Sequence, residues 1–435
     1  MDPRPIKIYS HREVPRLRYI AGIILGDMLG LSWEIVTDRR KLGKHPVINY
    51  STEAIPGSFQ ILPFTLLFET GIRSQEIVMS EWKGLPVFFS EPPVADLPFD
   101  ILSASFYMVS RYEEYLEFQP DEHGRFKASS SLAFRNNFLT IPVVDLWARE
   151  FARALLKRYP TLAFRRNEFS ALLTIDSDQP FAYLGKSLMS SFGGMIRDLT
   201  SGDGHAGDRY KVVTHEKKDP FEVYDYITES IEKYNTEAIF FFPTGDHSKH
   251  DMNPSWKNEE YRLLVNSISD KFRSGLHPSY HSHGSYKLLE QELERLKSIT
   301  GKEIDSSRFH YIRLSFPSSY RGLIKAGIRE DYSMGFPDEP GFRAGIARPY
   351  FFYDVAEERQ TDLEIVPFQV MDATLFQYKN LDPAASKEII INLADQIKRV
   401  GGQFVSLWHN TSLLETPEWK GWREIFESIL QLQKS

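Results

Sequence analysis

The chain has 435 residues, 42% hydrophobic and 14% aromatic, so it is long enough for two domains with cores of their own and has no stretch biased enough to stay disordered. Its 52 Lys and Arg against 59 Asp and Glu leave a net charge of −7 with no long block of one sign, which argues against a nucleic-acid partner or a membrane-surface patch. With no cysteine, disulfides and thiolate chemistry are excluded, and any metal must be held by His, Asp or Glu.

The opening MDPRPIKIYSHREV has no apolar run behind its charges, so no secretory signal is expected and a cytoplasmic location is the simple inference. The run YIAGIILGDMLGLSW is interrupted by Asp27 and falls short of the roughly 20 residues a membrane span needs, which predicts a buried helix and no span. Pro- and Gly-rich interruptions follow (IPGSFQILPF, WKGLPVFFSEPPVADLPFD), then a longer helical segment, ILSASFYMVSRYEEYLEF. Arg111, Glu113, Glu114 and Asp121 read best as an internal ion network, with a binding face as the other reading. The helix VDLWAREFARALLKRY ends before Pro160 and a basic cluster. That places a boundary between an N-terminal α/β domain, residues 1–165, and a second domain, residues 166–435.

From residue 170 onward short β-rich runs alternate with amphipathic helices. The runs are FSALLTID, TEAIFFFPTG, SGLHPSYH, FHYIRLSF, IREDYSMGF, IVPFQVMD and QFVSLWHN; the helices include PFEVYDYITESIEKY, YRLLVNSISDKF, YKLLEQELERLKSI and SKEIIINLADQIKRV. The alternation predicts a closed or distorted parallel (β/α) barrel of about seven strands. In such folds reactive groups gather at the C-terminal ends of strands. Asp176, Asp178, Asp246, His247, His277, His281, Asp372 and His409 all fall at or just after the run ends.

In TIDSD, Asp176 and Asp178 stand two apart and point the same way on an extended strand, so their charges repel unless a cation or a turn relieves them. In GLHPSYHSH, Pro278 favours a helical turn that would stack His277 and His281, either as a metal pair or as two polar residues at a helix start. Together Asp178, His277 and His281 would make a two-His, one-carboxylate set with room for water, as an open catalytic site requires. His409 in SLWHN is placed to protonate a leaving amine. In TGDHSKHD, Asp246, His247, His250 and Asp251 read as a polar loop, with Asp246 on a rim that contacts substrate. Tyr280 and Trp408 are equally walls for a sugar ring or core aromatics, and Arg343 in PGFRAG is equally an anchor for a charged substrate group or part of a surface turn.

The order TIDSD, HPSYH, RFHY (308–311), LWH (407–409) resembles the polysaccharide deacetylase family, also called the NodB-homology or carbohydrate esterase family 4, whose motifs run T-F-D-D-G, H-[ST]-x-x-H, R-x-P-Y, a late aspartate and L-x-H. The resemblance covers about residues 170–420 and implies a distorted (β/α) barrel. By it, Asp176 is the general base, Asp178, His277 and His281 hold a divalent metal, zinc by preference, and His409 is the general acid. Arg308 pairs with Asp176, and Asp372 polarises His409 with Asp331 as rival. Three departures stand out: Ser177 separates the two acids, Pro278 replaces Ser or Thr, and His310 stands where the family has Pro, adding an imidazole near the mouth as a substrate contact. A Gly-rich insertion, SSFGGMIRDLTSGDGHAGDRYKVV, is expected to be a mobile cover, and the whole chain looks like long bacterial deacetylase-like proteins whose first domain has no assigned role. The expected activity is metal-dependent removal of N-acetyl or O-acetyl groups from a carbohydrate. The alternatives are hydrolysis of a cyclic amide, allantoinase-like, and non-catalytic glycan binding.

Overall fold

A computed structural model describes residues 5–90, 95–184, 210–212, 214 and 216–434. Most of the Gly-rich insertion lies outside these. The chain divides into two compact units, neither continuous: Met1–Ser170 with Gly341–Pro367 and Leu393–Phe404, and Ala171–Pro340 with Phe368–Asn392 and Val405–Ser435. Among the described residues no helix is long and apolar enough to cross a membrane.

In the first unit, β1 (Ile6–Tyr9), β2 (Trp33–Val36), β3 (Val47–Tyr50) and β4 (Phe59–Ile61) form a parallel sheet in the order β2-β1-β3-β4. The apolar run predicted as a buried helix is helical from Pro15 to Ala21 and continues as a π-helix to Met28, with Leu17, Ile20, Ile24 and Leu25 fully buried. The helix Val143–Arg158 buries the stripe Val143, Val144, Trp147, Phe151 and Leu155 and stops at Tyr159, as the following proline requires. Two antiparallel hairpins complete the unit's strands: β5 (Ser80–Trp82) with β6 (Leu85–Val87), and β12 (Tyr350–Asp354) with β13 (Arg359–Ile365).

The long helix expected over ILSASFYMVSRYEEYLEF is Ile101–Val109 only. Arg111 takes a left-handed backbone, φ 53°, which ends the helix and turns its guanidinium inward to Glu113 (2.9 Å) and Glu114 (2.7 Å). Arg343 joins this buried network through Nε and Nη2 on Glu114. At 2% exposure it is committed to Glu114, which corrects the reading of Arg343 as a substrate anchor. Asp121 lies apart, paired with Arg125 at 2.7 Å.

In the second unit the strands are β7 (Ser170–Asp176), β8 (Ala238–Phe242), β9 (Arg273–Leu276), β10 (Ser306–Ser307), β11 (Glu330–Asp331), β14 (Val370–Met371) and β15 (Gln403–His409), in the order β11-β10-β9-β8-β7-β15-β14. The pairs β7–β8, β8–β9, β9–β10, β10–β11 and β14–β15 are parallel. Each consecutive parallel pair is joined through a helix with one apolar stripe, for example Tyr286–Thr300, which buries Leu289, Leu293 and Leu296, is capped by Ser285 and ends on Gly301 at φ +64°. Between β8 and β9, Gly275 lets the Phe241 ring in: a Cβ there would stand 2.5 Å from it. The described residues form a mixed α/β structure with parallel sheets, and among them no strand pair closes the sheet into the expected closed or distorted barrel.

Two local predictions change. The run FHYIRLSF holds no strand: the strand is Ser306–Ser307, just ahead of it, because Tyr311 (φ 59°) and Ile312 (φ 54°) fold the chain into a tight turn right after Arg308 and Phe309. The helical turn expected from His277 begins later. His277 N donates to Phe242 O at 3.0 Å, which keeps His277 in extended register, and the turn is the Ser282 N to Ser279 O bond at 3.0 Å. Buried Glu292 clamps that turn by accepting from Ser279 N, Ser279 Oγ and Ser282 Oγ.

Candidate metal centre

Strand pairing brings the ends of β7, β9, β10 and β15 together. Asp176 is 2% exposed and its Oδ1 accepts from Arg308 Nη1 at 3.1 Å, while Arg308 Nε donates to Tyr332 O at 2.9 Å. The guanidinium is also fully buried beside the Phe241 and Phe368 rings, and burial lowers its pKa against the pull of Asp176. Both carboxylates reach one imidazole: His277 Nε2 is 3.0 Å from Asp178 Oδ1 and 3.7 Å from Asp176 Oδ2.

Three imidazoles present Nε2 to Asp178: His277 at 3.0 Å from Oδ1, and His310 and His409 at 3.4 and 3.6 Å from Oδ2. Asp178, His277 and His310 each offer a ligand atom, all within 4.8 Å of one another. His281 is not among them; within the turn clamped by Glu292 it is exposed, with its ring edge-on to Tyr280. The third atom of the group is thus a nitrogen of His310, which the sequence marked only as a substrate contact. The strand-end rule would have singled it out had β10 been recognised as ending at Ser307.

Each imidazole has a partner at Nδ1. His277 Nδ1 lies 2.5 Å from Arg308 O, His310 Nδ1 lies 3.0 Å from Asp251 Oδ1, and His409 Nδ1 lies 2.7 Å from Asp372 Oδ1. Burial alone would lower the pKa of His310, but the charges of Asp178 and Asp251 raise it to about 10. Burial opposes the charge on His409 as well, and Asp372 raises it to about 9. The Asp178 carboxyl, pushed up by burial, is held well below the usual carboxylate range by His310 and His277.

A cation suits the donor set. Asp178 Oδ1 and His277 Nε2 are buried atoms that make no hydrogen bond, although they approach to 3.0 Å; the contact is electrostatic and lacks hydrogen-bond alignment. A carboxylate oxygen and two imidazole nitrogens are ligands for zinc or a similar divalent ion, and three protein ligands leave coordination free for substrate.

The other expected contacts fall elsewhere. Trp408, 1% exposed, packs against Trp422 and Phe426, because neighbours on a strand face opposite ways and His409 takes the site side; this corrects its reading as a sugar wall. Tyr280 is 9% exposed, stacked on His250 at 4.0 Å with the Arg313 guanidinium 4.1 Å from its ring centroid, so its ring is already engaged. Asp246 is 77% exposed, pairs with Arg295 at 3.0 Å and lines a surface cleft of about 590 Å³ with Trp256 and Lys257. Asp331 contacts Ser307 and Ser333, and no hydrogen bond joins it to His409.

Residues 6–160 match the model of a family of unknown function, DUF7033. No curated protein sequence matches the chain. Similar solved structures include a Mycobacterium smegmatis protein classed with the polysaccharide deacetylases (14% identity, TM-score 0.39, 61% of this chain and 84% of that one). The polysaccharide deacetylase Bc1974 from Bacillus cereus is another (13%, 0.30, 61% and 86%). A third is BA3943 from Bacillus anthracis, a CE4 family pseudoenzyme (11%, 0.32, 61% and 62%). At these identities and scores the chemistry has to be read from the side chains themselves.

Proposed function

We propose that the second unit is a metal-dependent hydrolase that removes acetyl groups from an acetylated carbohydrate. The observation that carries the reading is the convergence of Asp178, His277 and His310 on one point, with Asp176 and His409 flanking it. Asp178, His277 and His310 would hold the ion, zinc by preference; His281 is left out of the set because its side chain is exposed. When bound, a divalent cation supplies Lewis-acid polarisation of an acyl carbonyl and of water.

The chain's own groups supply the proton transfers. Asp176, oriented by Arg308, takes the proton of the attacking water, and His409, oriented by Asp372, delivers a proton to the departing nitrogen or oxygen of the sugar. The choice of an acetylated sugar follows the order of the four motifs along the chain. The test is acetate release from a panel of N-acetylated oligosaccharides by protein whose bound zinc has been quantified. Release that needs the metal and disappears in Asp176→Asn is the expected result. Loaded protein that releases no acetate but opens a cyclic amide would replace this substrate class, and loaded protein inert toward both would overturn the enzymatic reading.

A further inference from the structure

The site contains two Asp–His pairs, Asp372–His409 and Asp251–His310, both facing Asp178. Nothing in the proposed chemistry requires the second. His310 belongs to the group of ligand atoms and His409 does not, so the two pairs have different tasks. We infer that Asp251 is the positioning residue of the third metal ligand: it fixes the His310 ring and its tautomer so that Nε2 offers its lone pair to the ion. The inference rests on the metal-dependent reading above.

The geometry supplies the argument. A ligating imidazole must present an unprotonated nitrogen, and the proton on its other nitrogen goes where an acceptor waits. Asp251 Oδ1 waits 3.0 Å from Nδ1 of His310, while Nε2 lies 3.4 Å from Asp178 Oδ2. Asp251 is itself held rigidly. It is 2% exposed, its Oδ1 also accepts from Tyr280 N at 2.9 Å, and its Oδ2 accepts from Ser248 Oγ at 2.7 Å. The backbone closes the same loop, Ser248 N donating to Asp251 O at 3.0 Å. His277, by contrast, leans on a neutral acceptor, the Arg308 carbonyl. His310 therefore has the support that most raises a ring's strength as a donor, a charged carboxylate. That support lets His310, just before the left-handed pair Tyr311 and Ile312, serve where His281, whose side chain is exposed, does not.

The experiment is titration of metal-free protein with Co²⁺ alone, followed by calorimetry, on the parent, Asp251→Asn, Asp251→Ala and His281→Ala. Metal-free thermal unfolding of each is measured alongside. Asp251→Ala is expected to bind about tenfold to a hundredfold more weakly, Asp251→Asn to fall between it and the parent, and His281→Ala to match the parent. The Asn variant keeps the size of the side chain and its acceptor for Tyr280 N, so a purely structural Asp251 would leave its affinity at the parent's value. Parent-like Co²⁺ affinity in Asp251→Asn and in any folded Asp251→Ala overturns the positioning role alone. A parent that takes up no Co²⁺ overturns the metal-dependent reading and this role with it.

Discussion

Asp372 holds His409 at two points: Oδ1 lies 2.7 Å from the ring Nδ1, and Oδ2 accepts from the His409 backbone N–H at 2.7 Å. Ser412 Oγ donates to the same Oδ2, so the carboxylate cannot rotate away. In the proposed reaction this fixed histidine, with Nε2 toward the site, hands over the proton. On an N-acetylated oligosaccharide that turns over, His409→Ala should lower kcat by about 10²- to 10⁴-fold while Co²⁺ affinity stays at the parent's value. Steady-state kinetics and calorimetry on the same preparation check both halves.

The third-ligand assignment separates two histidines of one chain. His310→Ala should weaken Co²⁺ binding by more than the tenfold to hundredfold that a supporting residue costs, and His281→Ala should leave it unchanged. The reverse order in a metal titration would restore the pair expected from the HPSYH spacing.

Arg308 and Asp176 are fully buried partners at 0% and 2% exposure. Removing the cation leaves an uncompensated buried carboxylate. Arg308→Met should therefore cost about 3–5 kcal/mol, read from urea unfolding at neutral pH. Asp176→Asn, which keeps an acceptor for the guanidinium, should lose activity at a smaller cost in stability.

Burial pushes the Asp331 carboxyl up from 3.8 to about 6 against the pull of its hydrogen bonds to Ser333 and Ser307 and of Arg308. Because the folded value lies above the unfolded one, the stabilising contribution of Asp331 is complete below about pH 3.8 and is lost as pH rises through about 6. Asp331→Asn should flatten the stability curve across that window and gain up to about 3 kcal/mol at pH 7 relative to the parent. Urea midpoints at about pH 4.5 and about pH 7.5, which lie on either side of the folded value, test the sign.

Trp408 separates a core role from a binding role. Packed against Trp422 and Phe426, it should cost about 3–5 kcal/mol when replaced by Ala. A sugar wall would instead raise KM and leave the unfolding midpoint in place.

Local chemistry made much of this legible in the sequence. The stripe of Val143, Val144, Trp147, Phe151 and Leu155 announces its helix by spacing, and Pro160 announces its end. The two-residue interval between Asp176 and Asp178 predicts their shared direction, because alternation along an extended chain needs no partner strand. The breaks at Arg111 and at Tyr311–Ile312 were not legible, since non-glycine residues carry no local signal that they will adopt a positive φ.

By itself the sequence determined which residue types stand at the ends of the strands, because periodicity and turn chemistry act over a few residues. Only the tertiary structure decided which of them meet. His310 rather than His281 joins Asp178 and His277 because the amide of His277 is tied to Phe242 on the neighbouring strand, and the turn beyond it is tied to Glu292 on the following helix. Asp372 rather than Asp331 supports His409 because β14 pairs beside β15, whereas β11 lies beside β10. Those choices are made by hydrogen bonds between segments far apart in the chain, and the spacing of residues within a motif carries no information about them.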